Sequence, residues 1–348
     1  MDVDFIAAGG ALRQVQTLSR DASEAGFSGI IFAESGRTAY LSAAAAALAS
    51  DELDIGTGIA VAFPRSPMIT AKVAWELADV SRGRFTLGLG TQVRAHVERR
   101  YSAEFDHPGP RLADYVGALR AIFHSFQTGD PLHYEGDFYR HTLLPRQWSP
   151  GPIDHPNLPV YVSAVGPWML RMAGELADGI HVHPFHSRRY LDDIVGPKVA
   201  EGASRAGRNP DEIDLAIPVF TIVGDSEEEK APWRDRARAQ IAFYGSTRNY
   251  ALQFDLLGFE GTSARLNDRL KAGDLPGMAE LITDEMLEVY AVEAEWDELS
   301  DRLVDRYGDL ARRLVFYFAE AAHRQGGDTF DRLGEVAKDL RHRTTTPA

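Results

Sequence analysis

The stretch "LPVYVSAVGPWMLRMAGELADGIHVHPF" at residues 158–185 decides the fold, because it reads as a strand, a turn, a helix and a second strand. "LPVYVSA" (158–164) and "DGIHVH" (178–183) are short apolar runs bounded by turn residues, which is typical of buried strands. Two neighbouring strands joined by a helix form a parallel β-α-β unit. Their near-continuous apolar character predicts that helices cover both faces of the sheet.

The same alternation of apolar runs and helical patterns recurs along the rest of the chain. The other strand candidates are residues 3–6, 26–35, 53–63, 83–92, 213–223 and 313–318. Eight candidate strands, each followed by helix-like sequence, predict an α/β fold of the closed (β/α)8 TIM-barrel type. An open, doubly wound parallel sheet is the alternative.

Two segments interrupt this spacing, one after the fourth strand and one after the seventh. Residues 101–157 contain a helical pattern and then Gly, Pro and aromatic residues at turn spacing, which predicts a small β-excursion or a long loop. Residues 225–307 are mostly charged helical sequence, expected to cover the barrel or a partner subunit. Neither segment has the features of an independent domain, so we predict a single domain over residues 1–348.

The composition excludes several classes of function. The 348 residues carry a formal charge of −14 at pH 7 without a dense Lys/Arg run, so neither nucleic acid nor a membrane is expected as a partner. The chain has no cysteine, which excludes disulfides, thiolate metal sites and cysteine nucleophiles. No long apolar run and no signal-peptide pattern is present, so we expect a cytoplasmic protein that acts on a small molecule.

The active site of a (β/α)8 barrel lies at the carboxyl ends of the strands, so the residues that end each apolar run are the candidates. The candidates are Glu34 and Ser35 after strand two, Gly58, Ile59 and Phe63 around strand three, Thr91 and Gln92 after strand four, Ser163, Ala164, Val165, Gly166, Pro167, Trp168 and Met169 after strand five, and His181 and His183 after strand six.

The turn after strand five has two physical interpretations. Pro167 suits the first position of a helix, and the free amides of a first helical turn favour an anion such as a phosphate. An ordinary βα turn that uses Gly166 and Pro167 only for its geometry explains the same residues.

Three stretches taken together resemble the bacterial luciferase-like family of flavin- and deazaflavin-dependent (coenzyme F420) oxidoreductases. "VYVSAVGPWMLRMAGELADG" resembles the cofactor-phosphate loop of that family, "GTGIAVAFPRSPMITAKVAWELADVSRGRFTLGLGTQ" its third and fourth strands, and "PGPRLADYVGALRAIF" the following helix. The similarity spans most of residues 3–190 and returns at "LSDRLVDRYGDLARRLVFYF".

This resemblance implies that the barrel mouth holds the cofactor ring, with the cofactor phosphate at residues 163–169. It implies a non-prolyl cis peptide bond behind the ring at Gly58–Ile59, with Thr57, Gly58 and Ile59 in contact with the ring. Thr91 and Gln92 are then expected at its polar edge or side chain.

The sequence is more similar to the F420-dependent branch of the family, particularly in "AVAFPRSP" and "SAVGPWM", and FMN is the alternative cofactor. F420 carries an acidic tail beyond its phosphate, for which Arg94, Arg99 and Arg171 are candidate partners. Family members are commonly dimers, so residues 67–81 and 110–126 are expected to bury a face against a second subunit.

One departure from the family bears on the substrate. F420-dependent sugar-phosphate and alcohol dehydrogenases carry an acidic residue followed by a histidine after strand two, whereas this chain has Glu34 followed by Ser35. Serine is not a strong base at neutral pH, which disfavours alcohol oxidation and favours hydride transfer to an activated C=C or C=N bond. The candidates to donate or position the proton are Glu34 and His181, and then Arg37 and Tyr101.

Three other kinds of protein fit parts of the sequence. His181 and His183 share a strand face and could bind a metal ion in a hydrolase, but the other histidines lack ligand spacing, so no metal site is predicted. A luciferase-like monooxygenase that uses FMN and a ligand-binding barrel without catalysis are the remaining alternatives.

Overall fold

The structure, a computed structural model, describes residues 1–345 and contains a ring of parallel strands. The strands are β1 (Asp2–Ala7), β2 (Gly29–Phe32), β3 (Asp54–Thr57), β4 (Ala60–Val61), β5 (Phe85–Gly90), β6 (Tyr134–Glu135), β7 (Arg140–His141), β8 (Val160–Ser163), β9 (Gly179–His181), β10 (Asp214–Val223), β11 (Ala291–Ala294) and β12 (Arg313–Phe316).

The ring runs β1–β2–β3–β5–β8–β9–β10–β12, and β12 pairs with β1 to close it. Every pairing in the ring is parallel. This closure confirms the predicted (β/α)8 barrel and rules out the open sheet, because an open sheet would leave two strands with one neighbour each.

Helices surround the ring and fill the two interruptions. They are α1 (Leu12–Ala25), α2 (Ala39–Ala47), α3 (Pro67–Val80), α4 (Arg94–Arg99), α5 (Pro108–Thr128), α6 (Pro167–Leu176), α7 (Arg188–Tyr190), α8 (Gly196–Arg205), α9 (Glu227–Gly245), α10 (Ala251–Asp255), α11 (Thr262–Lys271), α12 (Leu275–Glu280), α13 (Asp284–Tyr290), α14 (Leu299–Tyr307), α15 (Ala319–Gln325) and α16 (Thr329–Thr345). Across residues 1–345, none of the helices combines the length and apolar character needed to cross a membrane.

Side chains on each strand alternate between the helical layer and the barrel interior. Phe5 and Phe32 face outward and belong to the main apolar core between strands and helices. The inward residues Ile31, Tyr161 and Val315 form, with Ala216 and Ile6, a separate small cluster inside the barrel. The barrel is therefore a packed core whose interior layers can be followed residue by residue.

An ion-pair network forms the floor of the barrel, at the amino ends of the strands. The Arg313 guanidinium donates to Asp4 at 2.6 Å and to Asp54 at 2.7 Å. Burial raises the pKa of Asp4 to about 6, against the opposing effect of Arg313. Above this network lies a cavity of about 40 Å³ that Tyr161 and His181 help to line.

The first interruption, residues 101–157, contains α5 and the antiparallel hairpin β6–β7. The second, residues 225–307, contains α9 to α14 and the short strand β11. β11 pairs with the part of β10 that extends beyond the ring, in the register Phe220–Ala291 to Val223–Ala294. The interpretation of the whole chain as one domain stays a prediction.

Candidate active site

The carboxyl ends of the strands form an open mouth, as the barrel geometry requires. Side chains that point inward at this end are only partly buried, which shows that solvent reaches them: Ile59, Ser163, His183 and Tyr317. The predicted site residues come from the neighbouring ring strands β2, β3, β5, β8 and β9 and from β4, which pairs with β5, so the closed ring brings them to one side of the mouth.

The peptide bond between Gly58 and Ile59 is cis, at the position that the family resemblance implies. It separates β3 from β4 and lies beside the end of β2. The Gly58 amide donates to the Phe32 carbonyl at 2.9 Å, and the Ile59 carbonyl accepts from the Glu34 amide at 3.3 Å. The backbone after β2 therefore holds both sides of this bulge in place.

Glu34 is buried beside the bulge, and its carboxylate is fully engaged. Arg65 forms an ion pair with both carboxylate oxygens, one of them at 2.9 Å, and the Val61 amide donates to the carboxylate at 2.8 Å. The Arg65 guanidinium also lies over the Tyr40 ring, 5.1 Å from its centroid. Glu34 thus links β2 to β4 through Val61, and its assignment as a proton donor stays a prediction.

Thr57 has its side chain behind the strands instead of in the mouth. The residue is fully buried. Its hydroxyl donates to the Gly88 carbonyl at 2.8 Å and accepts from the Gly88 amide at 2.9 Å, which ties β3 to β5. Gly58 has little space toward the interior, where an added Cβ would lie 2.4 Å from Ile31. Contact of Thr57 or Gly58 with a cofactor ring stays a prediction.

The turn after β8 leads directly into α6. Gly166 is the N-cap residue in an extended conformation, and no side chain caps the helix. Pro167 occupies the first turn, and the amides of Trp168 and Met169 precede the first intrahelical donor, the Leu170 amide, so they have no acceptor within the helix. Gly166 is exposed, and an added Cβ there would meet no atom within 4 Å. An anion could therefore reach these amides from solvent.

The turn after β5 is conformationally unusual. Gln92 has a backbone φ of 58°, which residues other than glycine rarely adopt. The oxygen of its side-chain amide accepts from the Val93 backbone amide at 2.9 Å. Ser102 and His107 also have positive φ angles. Such conformations cluster at functional sites more than elsewhere, which is consistent with a ligand near this segment.

The three arginines predicted to meet an acidic tail differ in their surroundings. Arg94 pairs with Glu98 at 2.8 Å, and Arg171 lies 3.7 Å from Glu201. Arg99 is exposed at the end of α4. Arg94 and Arg99 are the first and last residues of α4, whereas Arg171 lies in the middle of α6. Contact of these arginines with a cofactor tail stays a prediction.

His181 lies below the mouth, in the barrel interior. Its ring is 5.5 Å from the Tyr161 ring, and its Nε2 is buried without a hydrogen-bond partner among residues 1–345. Burial lowers the pKa of His181 to about 4, so the ring is neutral at pH 7. A neutral imidazole can still exchange a proton, and the catalytic role of His181 stays a prediction.

His183 stands one layer nearer the mouth than His181, and its ring contacts the Tyr244 and Tyr250 rings. Its Nδ1 accepts from the Phe185 amide at 3.1 Å. In the described part of the chain, no three His, Asp or Glu side chains are placed to hold a metal ion.

Sequence reasoning missed four residues of the mouth: Arg65, Tyr244, Tyr250 and Tyr317. Arg65 lies within the quoted "AVAFPRSP". Tyr317 lies two residues after the inward-facing Val315, so the alternation of side chains along β12 could have indicated that Tyr317 also points inward. Tyr244 and Tyr250 belong to the second interruption, and no local signal places them near His183.

Comparison with known proteins agrees with this geometry. A 5,10-methylenetetrahydromethanopterin reductase of Archaeoglobus fulgidus is 26% identical over 271 residues, which are 77% of each chain. The solved structure of the coenzyme F420 dependent tetrahydromethanopterin reductase from Methanopyrus kandleri superposes with a TM-score of 0.77 at 19% identity, covering 99% of this chain and 98% of that one.

Two further matches identify the family. An uncharacterized protein of Mycobacterium tuberculosis is 38% identical over 297 residues, which are 85% of this chain and 87% of that protein. The sequence profile of the luciferase-like monooxygenases matches residues 4–313, nearly the whole length of the barrel. The chain therefore belongs to the luciferase-like monooxygenase family and is an enzyme.

Proposed function

We propose that the protein is an F420-dependent oxidoreductase that transfers a hydride between the deazaflavin and a small organic substrate. The observation that carries this proposal is the open, uncapped amino end of α6 at the barrel mouth, which also contains the Gly58–Ile59 bulge. An anion-binding helix end at the same mouth as a partly exposed bulge fits a cofactor that has a phosphate at one end and a flat ring at the other. Family membership favours the same class of cofactor.

Each part of the mouth then has a task. The amides of Trp168 and Met169 would bind the phosphate, and Pro167 leaves the first helical turn in the required conformation. Ile59, which is partly exposed at the bulge, would back the ring. When bound, the deazaflavin would supply or accept the hydride, and the protein would position the reacting groups.

The proposed direction of chemistry is reduction of an activated C=C or C=N bond. The residue after Glu34 is an exposed serine, Ser35, whose hydroxyl is not a strong base. The Arg100 guanidinium donates to the Ser35 carbonyl. Alcohol oxidation would need such a base, because the hydroxyl proton must leave as the hydride departs. Glu34 and His181 are the groups proposed to donate or position the proton.

F420 is the proposed cofactor, and FMN is the second candidate because the family includes monooxygenases. The coenzyme F420 dependent reductase with the same fold favours F420. Titration of the protein with each cofactor, followed by cofactor fluorescence, separates the two. Tight binding of FMN without binding of F420 would contradict the proposal.

The phosphate site can be tested at Gly166. In Gly166→Asp, the new carboxylate is at an N-cap position and can accept from the same amides that would bind the phosphate. We expect the dissociation constant for F420 to rise about tenfold or more, while the melting temperature is unchanged or higher, since aspartate is a good N-cap residue. Both are measured on the purified variant.

Gly166→Ala is the matched control, because an added Cβ meets open space there. Its affinity for F420 is expected to stay within about twofold of the original, a difference well under 1 kcal/mol. Equal affinities of the aspartate and alanine variants would count against the phosphate site at α6.

We propose that the protein forms a homodimer through α2 and α3. Large apolar side chains on these neighbouring helices are exposed: Leu41 by 56%, Leu48 by 71%, Ile69 by 53% and Val80 by 39%. No large apolar side chain of α5 is exposed, which favours residues 67–81 over residues 110–126 as the contact. A second copy of the same face would cover these residues.

Ile69→Lys is expected to convert the dimer to a monomer at micromolar concentration. Each of the two subunits would bury one lysine charge in the symmetric interface. Sedimentation velocity measures the change. Leu143→Lys, which alters a residue that is 78% exposed in another segment, is the control and should stay dimeric. A monomeric original protein would contradict the proposal outright.

A further inference from the structure

Four partly exposed side chains form a mouth aromatic cluster, consisting of His183, Tyr244, Tyr250 and Tyr317. The His183 ring is 4.6 Å from the Tyr244 ring and 4.3 Å from the Tyr250 ring. The hydroxyls of Tyr244 and Tyr317 are hydrogen-bonded to each other. None of these residues has a task in the function proposed above.

The strand register places this cluster at the mouth. On β12, Arg313 belongs to the floor and Val315 to the interior cluster, so Tyr317 is the next inward position toward the carboxyl ends. The Tyr317 amide still donates to the Val219 carbonyl of β10 at 3.1 Å, so the residue continues the strand geometry. Tyr244 and Tyr250 approach from residues 225–307 and form the facing wall.

The cluster has hydrogen-bond donors but no formal charge. The hydroxyls of Tyr244 and Tyr317 carry one proton each, and the hydrogen bond between them uses only one of these two protons. Burial raises the pKa of both phenols, which keeps them protonated at neutral pH. His183 accepts at Nδ1 from the Phe185 amide, so its proton is on Nε2, and burial lowers its pKa to about 3.

Neutral donors between aromatic walls suit a particular kind of ligand. Flat conjugated groups pack well against the exposed faces of aromatic rings. Donors that are fixed before the reaction stabilise an oxygen that becomes negative in the transition state more than they stabilise the neutral oxygen of the substrate. A permanently charged substrate would find no counter-charge within the cluster.

We propose that the Tyr244–Tyr317 pair binds the carbonyl oxygen of the substrate, and that the substrates are neutral, flat, α,β-unsaturated carbonyl compounds. This inference rests on the proposed hydride transfer and specifies its substrate class. The hydride, from reduced F420, forms a C–H bond at the β-carbon. The C=C electron pair moves to the carbonyl oxygen, which takes the hydrogen bond of the uncommitted phenol, and a proton from one of the groups proposed above, Glu34 or His181, then reaches the α-carbon. One hydride and one proton are consumed, and both tyrosines are unchanged.

The test uses 3,5-difluorophenol, whose phenolate oxygen resembles the enolate oxygen and whose ¹⁹F shift reports its ionisation. It is titrated into the full protein with and without saturating oxidised F420. Donors aimed at the oxygen favour the charged form, so we expect the bound phenol to have a pKa at least about one unit below that of the free phenol. Tyr317→Phe should abolish this shift and weaken binding of the phenol about tenfold, with unchanged affinity for F420.

Tyr134→Phe is the control, since the hydroxyl of this half-buried tyrosine in hairpin β6–β7 bonds to the Asp114 carbonyl at 2.9 Å. It should behave like the original protein. If Tyr317→Phe does not fold, Tyr244→Phe replaces it and should reduce the shift, because Tyr317 then loses the partner that orients its hydroxyl.

The outcomes separate this inference from the proposed function. Binding of F420 together with a phenol pKa that the Tyr317 substitution leaves unaltered overturns the oxygen site alone. Loss of F420 affinity in Tyr317→Phe would place the tyrosine in the cofactor site and also overturns it. Failure of the original protein to bind F420 contradicts the proposed function, and this inference with it.

Discussion

Arg313→Met is expected to lower the free energy of unfolding by about 3 to 5 kcal/mol, because it leaves the buried Asp4 carboxylate without its counter-ion. Asp4, whose side chain is 3% exposed, is the partner most affected, and Asp54 loses its ion pair as well. Urea unfolding at pH 7 measures the loss. Methionine keeps the apolar stem of the arginine, so the change in packing is small.

The pH dependence of this loss has a definite sign. The folded-state pKa of Asp4, about 6, lies above the usual aspartate value, so protonation of Asp4 favours the folded state. Loss of the guanidinium raises this pKa further. The variant is therefore expected to recover part of its deficit between pH 7 and pH 5, and a deficit that grows on acidification would contradict the assignment.

Arg312→Met is the control next to it in sequence. The Arg312 side chain is 66% exposed and lies 3.3 Å from Asp214. Exposed pairs of this kind contribute about 0 to 1 kcal/mol. Similar losses at positions 312 and 313 would show that the floor network does not stabilise the barrel.

Gly88→Ala is expected to prevent stable folding or to reduce the free energy of unfolding by more than about 3 kcal/mol. A Cβ at this position would lie 1.8 Å from the Thr57 carbonyl oxygen and 2.4 Å from Nε2 of His181. The carbonyl belongs to the backbone of β3 and cannot move without breaking the pairing of β3 with β5. Soluble yield and thermal unfolding by circular dichroism measure the effect.

Gly56→Ala provides the comparison, since Gly56 is also a buried glycine of the barrel wall. An added Cβ there makes only ordinary contacts, at 3.5 Å to the Thr86 carbonyl and 3.6 Å to Ile31. The free energy of unfolding of Gly56→Ala should differ from that of the original protein by less than about 1 kcal/mol. Equal effects of the two substitutions would show that close approach at Gly88 is not what requires glycine.

The fold was predictable because strands covered on both faces leave continuous apolar runs in the sequence. The residues at which strands end were harder to predict. The run at 53–63 reads as one strand, but the structure divides it into Asp54–Thr57 and Ala60–Val61. The bulge between them is held by hydrogen bonds to the Phe32 carbonyl and the Glu34 amide. Both residues are distant in sequence, so local patterns do not encode these bonds.

The same limit applies to the candidate site. The turn at Gly166 could be found because its strand, glycine and proline are adjacent in the sequence. Glu34 could be located from the end of a strand, but its engagement with Arg65 depends on tertiary packing and could not. Tyr244 and Tyr250 reach His183 only through the path of a long helical segment, for which apolar periodicity gives no position.

That helical segment is attached to the barrel by more than its two chain ends. β11 lies near the carboxyl end of this segment. It pairs in parallel with the carboxyl-terminal part of β10, outside the closed ring. Backbone pairing tolerates almost any side chain. Helices α9 to α13 can therefore change in sequence during evolution while β11 holds the segment over the mouth, so new specificities can arise without altering the eight strands beneath.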